Sequence, residues 1–171
     1  MFSLFNKPRE YPKYYEEFYD TFDFYNGRDI WLGSIASIPE EAVFLFAAHW
    51  THLEVHNGGF AQFFWNSTGT LAPEAVEAFR AIGMPDVAQI VGDAMSAFGD
   101  PYPGEKSARE AILEAQEDDS ELLNALDQMT DTFYDLADTE EVFRRQPKFV
   151  PFAEEYAARA AASGRLTAFK G

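Results

Sequence analysis

Apolar and polar residues follow a helical pattern along almost the whole 171-residue chain. Apolar side chains recur three or four residues apart, as they do on one face of an α-helix, and no segment shows the alternation that is typical of a strand. Short breaks rich in glycine and proline separate the periodic segments. The pattern therefore predicts an all-α fold, a single compact domain of about eight helices with short connections.

The breaks set the predicted helix boundaries. An aromatic-rich helix is predicted over Lys13–Phe24. Pro39 followed by two glutamates is typical of a helix N-terminus, and Asn57-Gly58-Gly59 is expected to end that helix after His56. The other predicted helices cover residues 60–67, 73–82, 86–98, a segment from 107, 120–137, 140–145 and 151–162.

Two helix starts are predicted from capping residues. Ser107 followed by Glu110 matches a capping box, in which each side chain binds a free backbone N–H of the other residue. Thr139 is expected to cap the short helix from Glu140 to about Arg145.

The chain divides into two regions by composition. Residues 1–38 form an aromatic-rich N-terminal segment, expected to pack on the helical domain formed by residues 39–171. Nine aromatic residues lie between Tyr11 and Trp31. Their helical spacing favours core packing, and an aromatic partner-binding face is the alternative.

The composition excludes several classes of function. Thirteen basic and 29 acidic residues give a net charge of −16, which opposes direct nucleic-acid binding and attachment to an anionic membrane. Without cysteine there are no disulfides, thiolate metal sites or cysteine nucleophiles. The longest apolar run is Ala42–Ala48, too short for a membrane span, and the N-terminus does not match a secretory signal. A cytoplasmic location is therefore expected.

The negative charge is concentrated in residues 105–141, which carry 2 basic and 13 acidic groups, whereas residues 142–171 are net positive. On the predicted helix 120–137, leucines and other apolar residues form one seam, and a row of aspartates lies on the opposite, solvent-facing side. Side chains four residues apart are about 6 Å apart along the helix axis, sparser than the phosphates of one DNA strand at about 3.4 Å. A second acidic row on the preceding helix would fill this gap, and a solvated face is the alternative. The candidate partner-binding surface consists of Glu110, Glu114, Glu117, Glu121, Asp127, Asp131, Asp135 and Asp138.

All three histidines, His49, His52 and His56, fall within about 60° of one another on one predicted helix. Neutral imidazoles at this spacing suit Zn²⁺ or Ni²⁺, but the sequence lacks the His-Glu-x-x-His pattern. Glu54, the nearby carboxylate, projects from a different face. A polar flank beside the apolar stripe is the favoured interpretation, so no metal or cofactor is predicted, and metal binding by the three histidines is the alternative.

Glu54 lies at the edge of the apolar stripe, where a carboxylate needs hydrogen-bond donors. Asn57, the Gly58 and Gly59 amides, Gln62 and Asn66 are close in sequence. They predict a helix-turn-helix corner held by a buried carboxylate–amide network, with a polar ligand pocket as the alternative.

The stretch Leu53-Glu-Val-His-Asn-Gly-Gly-Phe-Ala-Gln-Phe-Phe-Trp-Asn-Ser-Thr-Gly69 resembles the hallmark of a bacterial family that includes an acidic DNA mimic protein. The similarity covers roughly residues 40–152. It implies an all-helical, DNA-mimic-like domain and, for the characterised member, a dimer whose acidic surface occupies the DNA-binding face of a transcription factor. The matched motif residues are expected to be structural: Glu54, Asn57, Gly58, Gly59, Phe60, Gln62, Phe63 and Asn66.

These observations predict a binding protein rather than an enzyme, because no phosphate-binding glycine loop, Ser-His-Asp arrangement or kinase motif occurs. The expected partner is a basic DNA-binding protein that binds the candidate partner-binding surface. A homodimer is one expected state of the chain. The alternative is an antitoxin or immunity-type protein that neutralises a basic toxin with the same acidic residues.

Overall fold

The computed structural model describes residues 9–139 and 146–168 and confirms the all-α class. Two short 3-10 helices, Tyr11–Tyr14 and Glu16–Phe18, precede the first α-helix, and a third, Ser67–Leu71, follows the second. The two-residue strands β1 (Asp138–Thr139) and β2 (Gln146–Pro147) pair antiparallel. The α-helices within these ranges are α1 (Arg28–Ile35), α2 (Glu40–Trp65), α3 (Ala72–Ile82), α4 (Pro85–Ser96), α5 (Lys106–Glu114), α6 (Glu121–Ala137) and α7 (Phe149–Ala162).

Helix α2 is the centre of the domain, because α3, α5, α6 and α7 all pack against it. Most of its apolar side chains between Ala42 and Phe64 are buried, on both sides of a break. The predicted break at Asn57-Gly58-Gly59 is a kink between two halves of this helix. Gly58 and Gly59 have non-helical backbone angles, and Gly59 has a φ of 73° that disfavours any residue with a side chain.

The hydroxyl of Thr130 on α6 stabilises the kink by a hydrogen bond. Because the kink interrupts the helical hydrogen bonds, the Phe60 N–H needs another acceptor, and it donates to Thr130 Oγ1 at 2.9 Å. Thr130 Oγ1 in turn donates to the Leu126 carbonyl at 2.8 Å. A Cβ on Gly59 would lie 3.1 Å from Thr130 Oγ1, so glycine also permits the close approach of the two helices.

The predicted helix over Lys13–Phe24 is wrong. Only the two short 3-10 helices form there, because burial of the aromatic rings against α2 outweighs the local helical pattern. Tyr11 and Tyr15 are buried, and the Phe22 ring stacks on Phe46 with centroids 4.0 Å apart. Of the nine aromatics, Tyr19 and Tyr25 are exposed, so most of the segment packs into the core.

Helix α1 was not expected from the pattern, and a buried polar contact holds it. The Arg28 guanidinium donates to both carboxylate oxygens of Glu74 on α3, at 2.6 and 2.7 Å. Trp31, fully buried, donates its indole N–H to the same carboxylate at 3.0 Å. These three bonds attach α1 to α3.

The predicted caps have mixed outcomes. The Ser107–Glu110 capping box is wrong, because α5 begins at Lys106 and Ser107 lies inside it. Glu105 precedes the helix and uses its carboxylate to accept the Arg28 N–H instead. Ser120, for which no cap was predicted, precedes α6 and caps it, accepting from the Leu123 N–H at 3.3 Å. Thr139 belongs to β1, and the predicted helix over residues 140–145 lies outside the described residues.

Arg109 on α5 is a fully buried cation that binds backbone carbonyls. Its guanidinium donates to the carbonyls of Phe64, Asn66, Pro103 and Gly104 at 2.9, 3.1, 3.2 and 2.5 Å. The first two lie at the C-terminal end of α2, where carbonyls lack helical partners and carry partial negative charge. Arg109 therefore joins the end of α2 to the loop before α5.

Replacing Thr130 by valine keeps the side-chain shape and removes the acceptor for the Phe60 N–H. We expect Thr130→Val to lower the free energy of unfolding by about 1–3 kcal/mol, the cost of a buried unpaired donor. Thr132→Val is the matched control, because Thr132 is exposed two residues further along α6 and bonds only its own helix. Its effect should stay within about 0.5 kcal/mol. Urea unfolding measures both, and equal effects would refute the role of Thr130.

Replacing Arg109 by methionine leaves four carbonyls without their donor. We expect Arg109→Met to lower the free energy of unfolding by about 3 kcal/mol. Arg80→Met removes an exposed arginine whose pair with Glu77 is also exposed, so it should change stability by less than about 1 kcal/mol. Urea unfolding measures both variants. A loss below about 1 kcal/mol in the Arg109 variant would contradict the structural role of Arg109.

Candidate protein-binding surface

The segment from α5 to α6 presents a run of exposed carboxylates that form no ion pair in the described chain. No lysine or arginine occurs between Glu110 and Asp138 in the sequence. Among the described residues, no ion pair involves any acidic residue from Glu114 to Asp135. The exposed carboxylates of this segment, named here the acidic surface, are Glu114, Glu117, Asp118, Asp119, Glu121, Asp127, Asp131 and Asp135.

Two members of the predicted set do not belong to this surface. Asp138 was expected at the end of the exposed row, but it is only 5% exposed and bonds His56 on α2. Chain geometry explains this, because Asp138 follows the last residue of α6 and turns inward with β1. Glu110 is half-buried and forms an ion pair with Lys106, one turn earlier on α5.

Asp118 and Asp119 were missed as site residues because they lie between the helices, outside any helical row. Both are exposed in the connection from α5 to α6. They make the exposed carboxylates continuous from Glu114 to Glu121. The signal that could have found them was the charge count over residues 105–141, which included them.

The row Asp127, Asp131 and Asp135 works against the stability of α6. Like charges four residues apart destabilise a helix by about 0.2–0.5 kcal/mol per pair, and this row contains two such pairs. Asp135 also lies in the last turn, where the helix dipole disfavours negative charge and where α6 has no basic residue of its own. Lys148, from the chain before α7, reaches the Asp135 carbonyl at 3.1 Å and offsets part of this cost.

Helices α5 and α6 border the same groove. Leu113 on α5 and Leu123 on α6 line it together with Ala61, Gln62 and Trp65 of α2, and its volume is about 330 Å³. Trp65 is 38% exposed at the end of α2. An apolar groove with an accessible tryptophan therefore lies between the two acidic helices.

The motif residues form the corner after the α2 kink. Glu54 Oε2 accepts from Asn66 Nδ2 at 2.7 Å and from the Thr68 hydroxyl at 3.4 Å. Asn57 is exposed, and Gln62 covers Gly58, where an added Cβ would lie 2.1 Å from Gln62 Oε1. Of the predicted donors to Glu54, the structure brings Asn66 to it, and Thr68 is an additional one.

The buried members of the motif and a neighbouring cleft complete this region. Phe60 and Phe63 are fully buried, as their predicted position opposite the polar residues requires. A cleft of about 190 Å³ beside Glu54 is lined also by Tyr25, Trp50 and Lys106. The corner therefore combines a packed aromatic side with a small polar cleft.

The three histidines separate into two environments. His49 Nδ1 lies 2.6 Å from the hydroxyl of the buried Tyr11, which donates to it when the imidazole is neutral. Burial lowers the pKa of His49 to about 4, and Arg9 adds to this effect. His52 and His56 instead lie next to Asp138, at Nε2–oxygen distances of 3.7 and 2.6 Å. Burial also lowers the pKa of His52, to about 3.

Comparison with known proteins gives one family. A family model described as DMP19-like protein matches residues 36–159, which include α2 through most of α7. No curated protein and no solved structure matches the chain significantly. Among the described residues, no helix has the length and apolar character needed to cross a membrane.

His49 should make stability depend on pH. The unfolded chain binds a proton at this residue near pH 6.5 and the folded chain only near pH 4, so acidification between these values favours unfolding. We expect His49→Gln, which cannot titrate, to reduce the loss of unfolding free energy between about pH 7 and pH 5 by about 2 kcal/mol relative to wild type. Urea unfolding at both pH values measures this, and the same loss in both proteins would disprove it.

Proposed function

The chain belongs to the DMP19-like protein family, and from that premise we propose that it is a DNA mimic. Its acidic surface on α5 and α6 occupies the DNA-binding surface of a basic protein, such as a transcription factor. The observation that carries this proposal is the run of exposed carboxylates from Glu114 to Asp135 that lacks any ion pair in the described chain.

Carboxylates can replace phosphates as acceptors for the groups that DNA-binding proteins present. Most contacts of such proteins to DNA go to phosphate oxygens, donated by arginine, lysine and backbone N–H groups. Charge-assisted hydrogen bonds from the same donors to carboxylates have similar geometry. Because the acidic surface has no internal cations, its carboxylates are available to a partner without breaking an existing pair.

The cost of the aspartate row to α6 supports a role in binding. Solubility requires a net charge, which mixed charges at any surface position provide, and it does not require three aspartates in one helical row. Residues that reduce stability and whose side chains form no ion pair in their own chain are typical of functional surfaces. The aspartate row has both properties.

The groove between the acidic helices gives the surface an apolar centre. Protein interfaces concentrate binding energy in aromatic side chains near their middle, with charged residues around them. Trp65 is the accessible aromatic residue in this groove, and Leu113 and Leu123 lie beside it. A partner that inserts an apolar side chain here would place its basic residues over the carboxylates.

Neutralising the aspartate row tests the proposal. The triple variant Asp127→Asn, Asp131→Asn and Asp135→Asn should bind its partner about tenfold more weakly, from about 0.5 kcal/mol per lost exposed pair. It should be at least as stable as wild type, because two like-charge pairs are removed. The matched control Glu16→Gln, Glu17→Gln and Asp20→Asn removes three exposed acids elsewhere and should bind normally.

The measurement has two steps. Proteins retained from a lysate by the immobilised chain at roughly 50 mM salt and released at roughly 200 mM are identified, because charge-driven contacts weaken with salt. Each purified candidate is then loaded with its labelled DNA, and the chain should displace that DNA. Retention of no DNA-binding protein, or equal displacement by wild type and the triple variant, would contradict the proposal. A retained basic toxin that does not bind DNA would favour the antitoxin alternative instead.

A further inference from the structure

His52, His56 and Asp138 form a side-chain cluster that the acidic surface does not use. The two histidines are one turn apart on α2, and Asp138 comes from β1 after the end of α6. One ligand atom from each residue lies within 4.8 Å of the others. The imidazole rings stack with centroids 4.2 Å apart, so both present their Nε2 atoms to the same carboxylate.

The hydrogen bonds of His56 require either a proton or a metal ion at its Nε2 atom, which faces Asp138. His56 Nδ1 lies 3.0 Å from the His52 carbonyl, which only accepts, so Nδ1 carries a proton. In a neutral imidazole Nε2 then has a lone pair, yet it faces the Asp138 Oδ2 atom at 2.6 Å. Two acceptors repel at this distance, so either Nε2 carries a proton that it donates to the carboxylate or a metal ion binds both atoms.

His52 distinguishes the two explanations. Its Nε2 atom is buried and has no hydrogen-bond partner in the described part of the chain, and Asp138 Oδ1 is 3.7 Å away. A proton on His56 accounts for the short contact to Asp138 but leaves His52 Nε2 unsatisfied, which is costly for a buried polar atom. A metal ion bound to both Nε2 atoms and the carboxylate satisfies all three groups at once.

We propose that His52, His56 and Asp138 bind one divalent transition-metal ion, with Zn²⁺ as the best match. Two imidazoles and one carboxylate are a common ligand set for zinc, and bonds of about 2.1 Å place neighbouring ligand atoms of a tetrahedral site about 3.4 Å apart. The His52–Asp138 separation of 3.7 Å is close to that value, and the His56–Asp138 contact of 2.6 Å would widen by about 0.8 Å to hold the ion. This site differs from the set His49, His52 and His56 weighed from sequence, because His49 bonds Tyr11.

The surroundings suit a metal site. The bond from His56 Nδ1 to the His52 carbonyl orients the imidazole, as outer-shell hydrogen bonds do around protein-bound zinc. Phe133 and Phe149 contact the His52 ring and exclude water from one side. The His56 side chain is 28% exposed, so an ion can enter and a fourth position can face solvent. A bound ion would attach the end of α6 to α2.

Metal binding is measured on the 171-residue chain purified without a histidine tag and treated with a chelator. We expect one Zn²⁺ per chain by elemental analysis after dialysis, a higher melting temperature with Zn²⁺ and no response to Mg²⁺, which prefers oxygen ligands. Co²⁺ in the same site should give the visible absorption of a tetrahedral complex. Absence of a one-to-one ion and of this absorption would overturn the proposal and leave the imidazolium–carboxylate pair as the explanation.

Variants locate the ion. His56→Gln, at a partly exposed position, and Asp138→Asn should each weaken Zn²⁺ binding by at least about tenfold. His49→Gln is the matched control on the same helix and should bind Zn²⁺ as wild type does. Circular dichroism checks that each variant folds. Equal affinity in the His56 variant and wild type, or an equal loss in the His49 control, would overturn the assignment.

Discussion

The buried guanidinium of Arg109 is the interaction on which the junction between α2 and α5 depends. A cation without solvent must be matched by acceptors, and four backbone carbonyls provide them here in place of a carboxylate. Burial lowers the pKa of Arg109 below its ordinary value, and the Tyr102 ring at 5.9 Å gives further contact. Because these carbonyls lie at the end of α2 and in the loop before α5, Arg109 fixes the position at which the acidic segment starts.

Helix α2 connects the kink, the histidines and the acidic helix α6. Its kink at Gly58 and Gly59 is held by Thr130 in the middle of α6, and Asp138, directly after the C-terminal end of α6, contacts the histidines of α2. Helix α6 is thus attached to α2 at two points along its length. Its solvent-facing side carries the aspartate row. A partner would meet preorganised carboxylates, which reduces the entropy lost on binding.

The carboxylates of this acidic chain fall into two groups, those that are paired between helices and those that are exposed without an ion pair. Glu74 accepts from Arg28 and Trp31 at a half-buried site, so that carboxylate serves packing between helices. From Glu114 to Asp135, by contrast, the described carboxylates have no basic partner and lie in water. The net charge of −16 therefore combines carboxylates that hold the fold with others that are free to contact another molecule.

The sequence alone determined the helical class, the break at Asn57-Gly58-Gly59 and the concentration of acidic residues, because each depends on the chain within a few residues. Only the tertiary structure decided the rest. It turned the aromatic N-terminal segment into 3-10 helices packed on α2, buried Arg109, and removed Asp138 from the acidic row by pairing it with His56, 82 residues away. Such contacts join residues far apart in the chain, and no local periodicity encodes which of them meet.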